Sequence, residues 1–155
     1  MNTTLREITA NTVRQITSLS VRIEQQRFVA SNAVSLAEAL FHEEAWYRAI
    51  YVGDSPAGFV MLRDETLRAL PSSVPTVSLW RFMIDAKFQG QGVGKAALEE
   101  VIVHVRRKEL FSLISTSYVP GPGCPEPFYR GFGFRPTGAV KNGEHVLKLV
   151  LENAA

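Results

Sequence analysis

The chain has 155 residues, 46% of them hydrophobic, enough to bury one core without disulfide or metal staples. Its 17 basic and 15 acidic side chains leave a net charge of +2, short of the concentrated positive surface that nucleic acid demands, and the single cysteine, Cys124, excludes an intrachain disulfide and a Cys-rich zinc site. The first residues hold no basic segment followed by an apolar run, and no stretch approaches the ~18 apolar residues of a membrane span, so one cytoplasmic domain over 1–155 is expected, with neither membrane nor nucleic acid as a partner.

In chain order, Leu5 to Thr9 alternates weakly and opens as a short strand, and Asn11 offers an N-cap for a helix through Val13, Ile16, Leu19 and Ile23. Ser35-Leu36-Ala37-Glu38 reads as a capping box that starts a second helix running to about Ala45. Trp46 to Val52 and Ala57 to Leu62 form a hairpin around the turn residues Gly53-Asp54-Ser55-Pro56, and residues 64 to 75, with two prolines and two serines, read as a surface loop. Val77 to Asp85 is a strand. The run Gly92 to Lys108 is a helix with Leu98, Val101, Ile102 and Val105 at i, i+3, i+4 and i+7, so its apolar face lies on a sheet. Leu110 to Ser115 then completes a right-handed βαβ unit with two parallel strands, and His145 to Leu151 adds a terminal strand. The fold class is α/β (α+β), a mixed sheet of six or seven strands with about four helices on both faces.

The segment Gln89-Gly90-Gln91-Gly92-Val93-Gly94-Lys95 sits where the strand gives way to the crossover helix. Glycine permits positive φ and close approach to the backbone, and the first helix amides are unpaired at the positive end of the dipole, so a pyrophosphate fits there. Lys95 adds a cation. A phosphate loop of Walker type fails, because Gln89 stands where its first glycine belongs and Ala96 where its hydroxyl belongs. The dinucleotide fingerprint is matched loosely by Gly92, Gly94 and Ala97, but Ala86-Lys87-Phe88-Gln89 separate the strand from the first glycine.

Gln89-x-x-Gly92-x-Gly94, preceded by Leu79-Trp80-Arg81-Phe82-Met83-Ile84-Asp85, closely resembles the acetyl-CoA motif of the GNAT superfamily of N-acetyltransferases. The resemblance implies that Gln89, Gly90, Gln91, Gly92, Val93, Gly94 and Lys95 hold the coenzyme pyrophosphate. It implies also that Phe82, Met83 and Ile84 supply strand-edge contacts to the pantetheine, with amides near Met83 stabilising the oxyanion. Pro125-Glu126-Pro127-Phe128-Tyr129-Arg130-Gly131-Phe132-Gly133-Phe134 is similar to the superfamily's second segment, and Tyr129 falls at the position of its general acid. A core aromatic in a short helix is the alternative for Tyr129, and Pro120, Pro122, Pro125 and Pro127 threaten to stunt that helix. Residues 76–134 then form the acetyl-CoA core and 1–45 the acceptor-binding helices.

The nucleophile is an uncharged amine, and a primary alkylamine with a pKa of ~10.4 is mostly protonated at neutral pH. The candidate bases are Glu24, Glu38, Glu43, Glu44, Asp85 and Glu126, with Glu38 and Asp85 carried as catalytic, although a capping box also explains Glu38 and a turn also explains Asp85. Gln26 to Asn32, with Ser35 to Ala39 and Leu79 to Asp85, looks like the bacterial spermine/spermidine acetyltransferases of the superfamily. A polyamine would lie among Glu24, Glu38, Glu43 and Glu44. The expected partners are a small-molecule amine and, as an open alternative, a second copy in a homodimer. No metal is expected, since His42, His104 and His145 share no ligand spacing. A non-catalytic acyl-CoA sensor and an interaction domain of the same fold remain as alternatives, as do amino acid, aminoglycoside and protein amines as acceptors.

Overall fold

The computed structural model describes residues 2–151; Met1 and residues 152–155, the ends of the expected domain, lie outside them. Seven strands form one mixed sheet, β1 (Thr3–Arg6), β2 (Ala45–Val52), β3 (Ser55–Asp64), β4 (Val77–Ile84), β5 (Leu113–Tyr118), β6 (Arg135–Lys141) and β7 (Glu144–Val150), in the order β1-β2-β3-β4-β5-β7-β6. The helices are α1 (Val13–Thr17), α2 (Asn32–Ala39), α3 (Val93–Arg107) and α4 (Glu126–Phe132), with 3₁₀ segments at Ile23–Phe28, Glu65–Leu67 and Ala86–Phe88. All neighbouring strands run antiparallel except β4 and β5, which α3 joins as a parallel crossover.

Alternation along the central strands divides the core between the two faces of the sheet. Ile50, Val60, Leu62 and Leu79 face α3, whose Leu98, Val101, Ile102 and Val105 are buried as their spacing predicts. Each such side chain contributes about 2 kcal/mol of transfer free energy when fully buried. Ala49, Tyr51, Phe59, Met61 and Met83 face the other way, against Ile16 of α1 and Leu36 and Ala39 of α2. The far end of α3 is pinned to the sheet by Lys108, whose ammonium bonds the buried carboxylate of Asp64, itself an acceptor from the Thr66 amide at 2.9 Å.

Four local expectations are corrected. The first helix does not reach Ile23: Thr17 and Ser18 hydroxyls both bond back to the Arg14 carbonyl, at 3.2 and 2.7 Å, and Ile23 is 84% exposed, so the apolar stripe ends at Leu19. Asn11 is not the cap, since Thr12 occupies that position, where its hydroxyl accepts from the Thr9 amide. The second helix starts four residues earlier than the capping box implied, with Ser31 at the N-cap accepting from Val34 N at 3.2 Å, so Ser35 and Glu38 lie inside the helix. The strand after α3 starts at Leu113 rather than Leu110, and β6 was missed because Arg135–Lys141 is exposed throughout and carries no apolar alternation.

Two outcomes follow for stability. Burial alone would raise the Asp64 carboxyl, but Lys108 and Thr66 outweigh it and hold the group below its ordinary 3.8. The pair therefore stabilises the fold above about pH 3.8, and this is lost as pH falls through the lower folded value. Lys108→Ala should cost about 3 kcal/mol in urea unfolding at neutral pH, and the gap from wild type should narrow near pH 3. On β3, a Cβ at Gly58 would lie 2.4 Å from the Met83 carbonyl oxygen, which is backbone and cannot swing aside. Gly58→Ala should lower stability by about 1–3 kcal/mol in the same assay.

Candidate active site

The site begins where β4 and β5 part. They pair only at Ser78–Ser115 and Leu79–Thr116, and the β3–β4 register slips at the same place, Met61 facing Arg81 while Leu62 faces Leu79, so that Trp80 forms a bulge. Beyond it β4 bends away, leaving a cleft of about 920 Å³ lined by Leu79 to Ile84 on one wall and by Thr116, Ser117 and Val119 on the other. Asp85 N donates to Ala57 O of β3 at 2.8 Å, so by the two-residue alternation Met83 also turns its backbone groups toward β3. Phe82 and Ile84 turn theirs to the open side. Of the expected edge residues Phe82, Met83 and Ile84, Met83 thus has its backbone turned to β3, and the Ile84 carbonyl accepts from Gln89 Nε2 at 2.9 Å.

The glycine turn closes the mouth of this cleft. Gly90 and Gly92 hold φ of 76° and 82°, and Gly92 is the left-handed N-cap of α3. No side chain caps that end and no acidic residue occupies its first turn, whereas His104, Arg106 and Arg107 fill the last. Val93 is buried against the core, Lys95 is exposed at the third helical position, and Gly94 faces the ring of Phe128, which a Cβ would approach to 3.4 Å. The side chains of Gln89 and Gln91 brace the turn: Gln89 Nε2 donates to Gln25 Oε1 at 2.8 Å, and Gln91 Nε2 to the Lys87 carbonyl at 3.1 Å. The free amides, the positive φ values and the absence of an acidic neighbour fit a diphosphate.

Tyr129 lines the same cleft from α4, a seven-residue helix that forms in spite of its prolines because Pro125 is its N-cap and Pro127 lies in the first turn. Its ring packs against Phe128 and Phe134 with centroids 5.5 Å from each, so the core-aromatic and cleft-facing readings hold together. The residue is 6% exposed, and burial pushes its phenol up to about 12 against the opposing hydrogen bond of Thr116. The Thr116 hydroxyl donates to the Leu79 carbonyl at 3.2 Å, at the last paired position before the strands part.

The carboxylates are mostly committed elsewhere. Asp85 Oδ1 accepts from the Ser20 amide at 2.8 Å and Oδ2 from the Lys87 amide at 3.1 Å, which ties the end of α1's loop to the end of β4. Glu38 accepts from Arg81 Nη2 at 3.1 Å, and Arg81, not Glu38, lines the cleft. Glu43 accepts from the Ala69 amide and Glu44 pairs with Arg68 and His42, both holding the 65–75 loop. Glu44 is kept below its ordinary value chiefly by its own amide. Glu126 takes the Tyr118 hydroxyl and the Arg130 guanidinium, and Glu24 is exposed on the 23–28 segment. Among the described residues that line the cleft, Glu144 is the one acidic side chain, against Arg27, Arg81 and Lys95.

Sequence reasoning missed the roof. Residues 23–28 cross the cleft, with Gln25 bonded to the glycine turn through Gln89 and Arg27 Nη2 donating to the Pro122 carbonyl at 2.9 Å. Nothing in the local pattern marks these residues, because their partners lie 64 and 95 positions away. Among the described residues no cluster could hold a metal ion, and no helix is long and apolar enough to cross a membrane.

A family model described as Acetyltransferase (GNAT) family matches residues 13–134, from α1 through the end of α4. The chain is 28% identical over 151 residues, 95% of its length and 97% of the relative's, to a spermine/spermidine N(1)-acetyltransferase of Bacillus subtilis. Among solved structures, an aminoglycoside acetyltransferase in complex with coenzyme A superposes with a TM-score of 0.74 at 14% identity, covering 96% of this chain and 95% of that one. The PaiA N-acetyltransferase of Thermoplasma acidophilum, in complex with coenzyme A, gives 0.68 at 11%, covering 97% and 100%. Parted parallel strands, an uncapped glycine turn and a match over most of the length lead to one assignment: the chain belongs to the GNAT family of acetyltransferases.

Proposed function

We propose that the protein transfers the acetyl group of acetyl-CoA directly to a primary amine of a small molecule. The observation that carries this is the uncapped N-terminus of α3 opening onto the cleft between β4 and β5, with Tyr129 in the same cleft. The coenzyme A complexes of two structural neighbours support it.

When bound, acetyl-CoA supplies an activated acyl group. The amides of Val93, Gly94 and Lys95 and the left-handed Gly92 hold its diphosphate, with the Lys95 ammonium adding charge. Gln89 and Gln91 act on the turn rather than on the ligand, fixing its shape through Ile84, Gln25 and Lys87. The open backbone groups of Phe82 and the N–H of Ile84, whose carbonyl already accepts from Gln89, pair with the pantetheine amides, and an N–H on this edge meets the negative charge that develops on the acetyl oxygen. Tyr129 gives its proton to the departing sulfur and recovers one from the nitrogen as the new amide forms, so the net reaction consumes a neutral amine and releases a thiol. A phenol raised to about 12 stays protonated through the working range, as an acid must. Asp85 is a positioning residue in this scheme, because both its oxygens hold backbone amides, and Glu38 orients Arg81.

A polyamine acceptor has the name of the B. subtilis relative in its favour. None of Glu24, Glu38, Glu43 and Glu44, the carboxylates expected beside a polyamine, lines the cleft. Spermidine is therefore one member of the test panel and not its premise.

Thiol release from acetyl-CoA over a panel of amines tests the proposal, and coenzyme binding without release on any of them would defeat it. Tyr129→Phe should lower kcat about 100-fold while the KM for acetyl-CoA changes less than threefold. Because burial raises the phenol, wild-type kcat should show no basic limb from this residue below about pH 10, the ordinary tyrosine value. An unchanged kcat in the variant across the pH range would remove Tyr129 from the mechanism.

A further inference from the structure

A second cavity, of about 370 Å³, lies behind the first on the α1–α2 side of the sheet. The two share Val21, Gln26, Val29, Ala30 and Met83, so one wall separates them. Its remaining lining is Leu19, Ser20, Ser31 and Asn32, which leaves no ionisable side chain among the described residues that face it. Its volume is at the small end of the ~300–1,000 Å³ typical of ligand sites.

One buried polar side chain reaches this space. Asn32 is 2% exposed, and both of its hydrogen bonds run from the amide nitrogen, to the Ile16 carbonyl at 2.9 Å and to Met83 Sδ at 3.6 Å. The Ile16 carbonyl can only accept, so it fixes which end of the amide is nitrogen and leaves Oδ1 as the end without a bond. That oxygen accepts no hydrogen bond from within the protein and is available to a donor in the cavity that Asn32 lines. Met83 joins this oxygen to the reaction site, because its side chain is Asn32's second contact and its strand neighbours present the open edge of β4.

We propose that this cavity receives the acceptor, that the acceptor is a primary amine on a short uncharged chain, and that Asn32 Oδ1 takes the hydrogen bond of the attacking nitrogen. The inference rests on the transfer reading above and narrows its substrate class. A wall with no ionisable side chain among the described residues gives an ammonium no counter-charge and favours the neutral amine that attack requires, which suits a site whose nearby carboxylates are bound to backbone amides or to arginine. The same wall gives a second ammonium, such as a polyamine carries, no carboxylate to pair with. Asp85 contributes from outside by holding Ser20, one of the lining residues, in place.

The test measures thiol release by the full chain with acetyl-CoA and either n-butylamine or spermidine, for wild type, Asn32→Leu and Leu19→Trp. Leu19→Trp fills the cavity without touching the Asn32 bonds, and so serves if Asn32→Leu fails to fold. The expected result is a kcat/KM for butylamine at least tenfold above that for spermidine. Each variant should raise the butylamine KM tenfold or more and leave the acetyl-CoA KM within twofold. A preference for spermidine, or a butylamine KM unmoved in the folded variants, overturns the inference while leaving acetyl transfer intact. Absence of release with every amine, while coenzyme A still raises the melting temperature, overturns the transfer reading and this inference with it.

Discussion

The parting of β4 from β5 is the constraint on which the rest of the molecule depends. Two parallel strands in a continuous sheet would satisfy each other's backbone groups along their whole length and leave no room between them. Here the pairing stops after Leu79 and Thr116, where the Trp80 bulge turns β4 aside. Gln89 meets the Ile84 carbonyl, while the Phe82 groups and the Ile84 N–H are left facing a cleft, a state that is costly unless water or a ligand with amides of its own fills the gap. Thr116 sits at the fork, bonded to Leu79 and beside Tyr129, so both side chains lie at the point where the sheet opens.

Both helix layers serve this opening. On one face α3 packs a full apolar stripe on the sheet, which aims its bare N-terminus at the mouth of the cleft, and the Asp64–Lys108 pair anchors its other end. On the other face the chain from α1 to α2 carries only a 3₁₀ segment, and the Ser20 amide within it finds its partner in Asp85, 65 positions away. That irregularity lets residues 23–28 pass over the cleft and leaves the smaller cavity beneath. Charge follows the same division: cations line the coenzyme side, and the cavity behind it has no ionisable lining among the described residues.

Which parts of this were legible in the sequence follows from the range of the interactions. The crossover helix was readable because Leu98, Val101, Ile102 and Val105 repeat at helical spacing, and the turn before it because glycine adopts without strain the φ found at Gly90 and Gly92. The segment around Tyr129 pointed to a residue that the fold places in the cleft. The carboxylates were not readable: Glu38 and Asp85 look alike as candidate bases, and only the fold shows one bound to Arg81 and the other to two amides. Ser35 and Glu38 mimic a capping box, while Ser31 is the residue whose oxygen meets a free amide.

The sequence by itself therefore determined the crossover helix, the mixed sheet and the position of the glycine turn, because periodicity and allowed φ are properties of neighbouring residues. Tertiary structure alone decided where the sheet opens, which backbone groups face the opening and which acids are already engaged. It also decided that Asn32 lies against Met83, 51 positions away. Such outcomes depend on strand register and on contacts between distant segments, which no local pattern encodes.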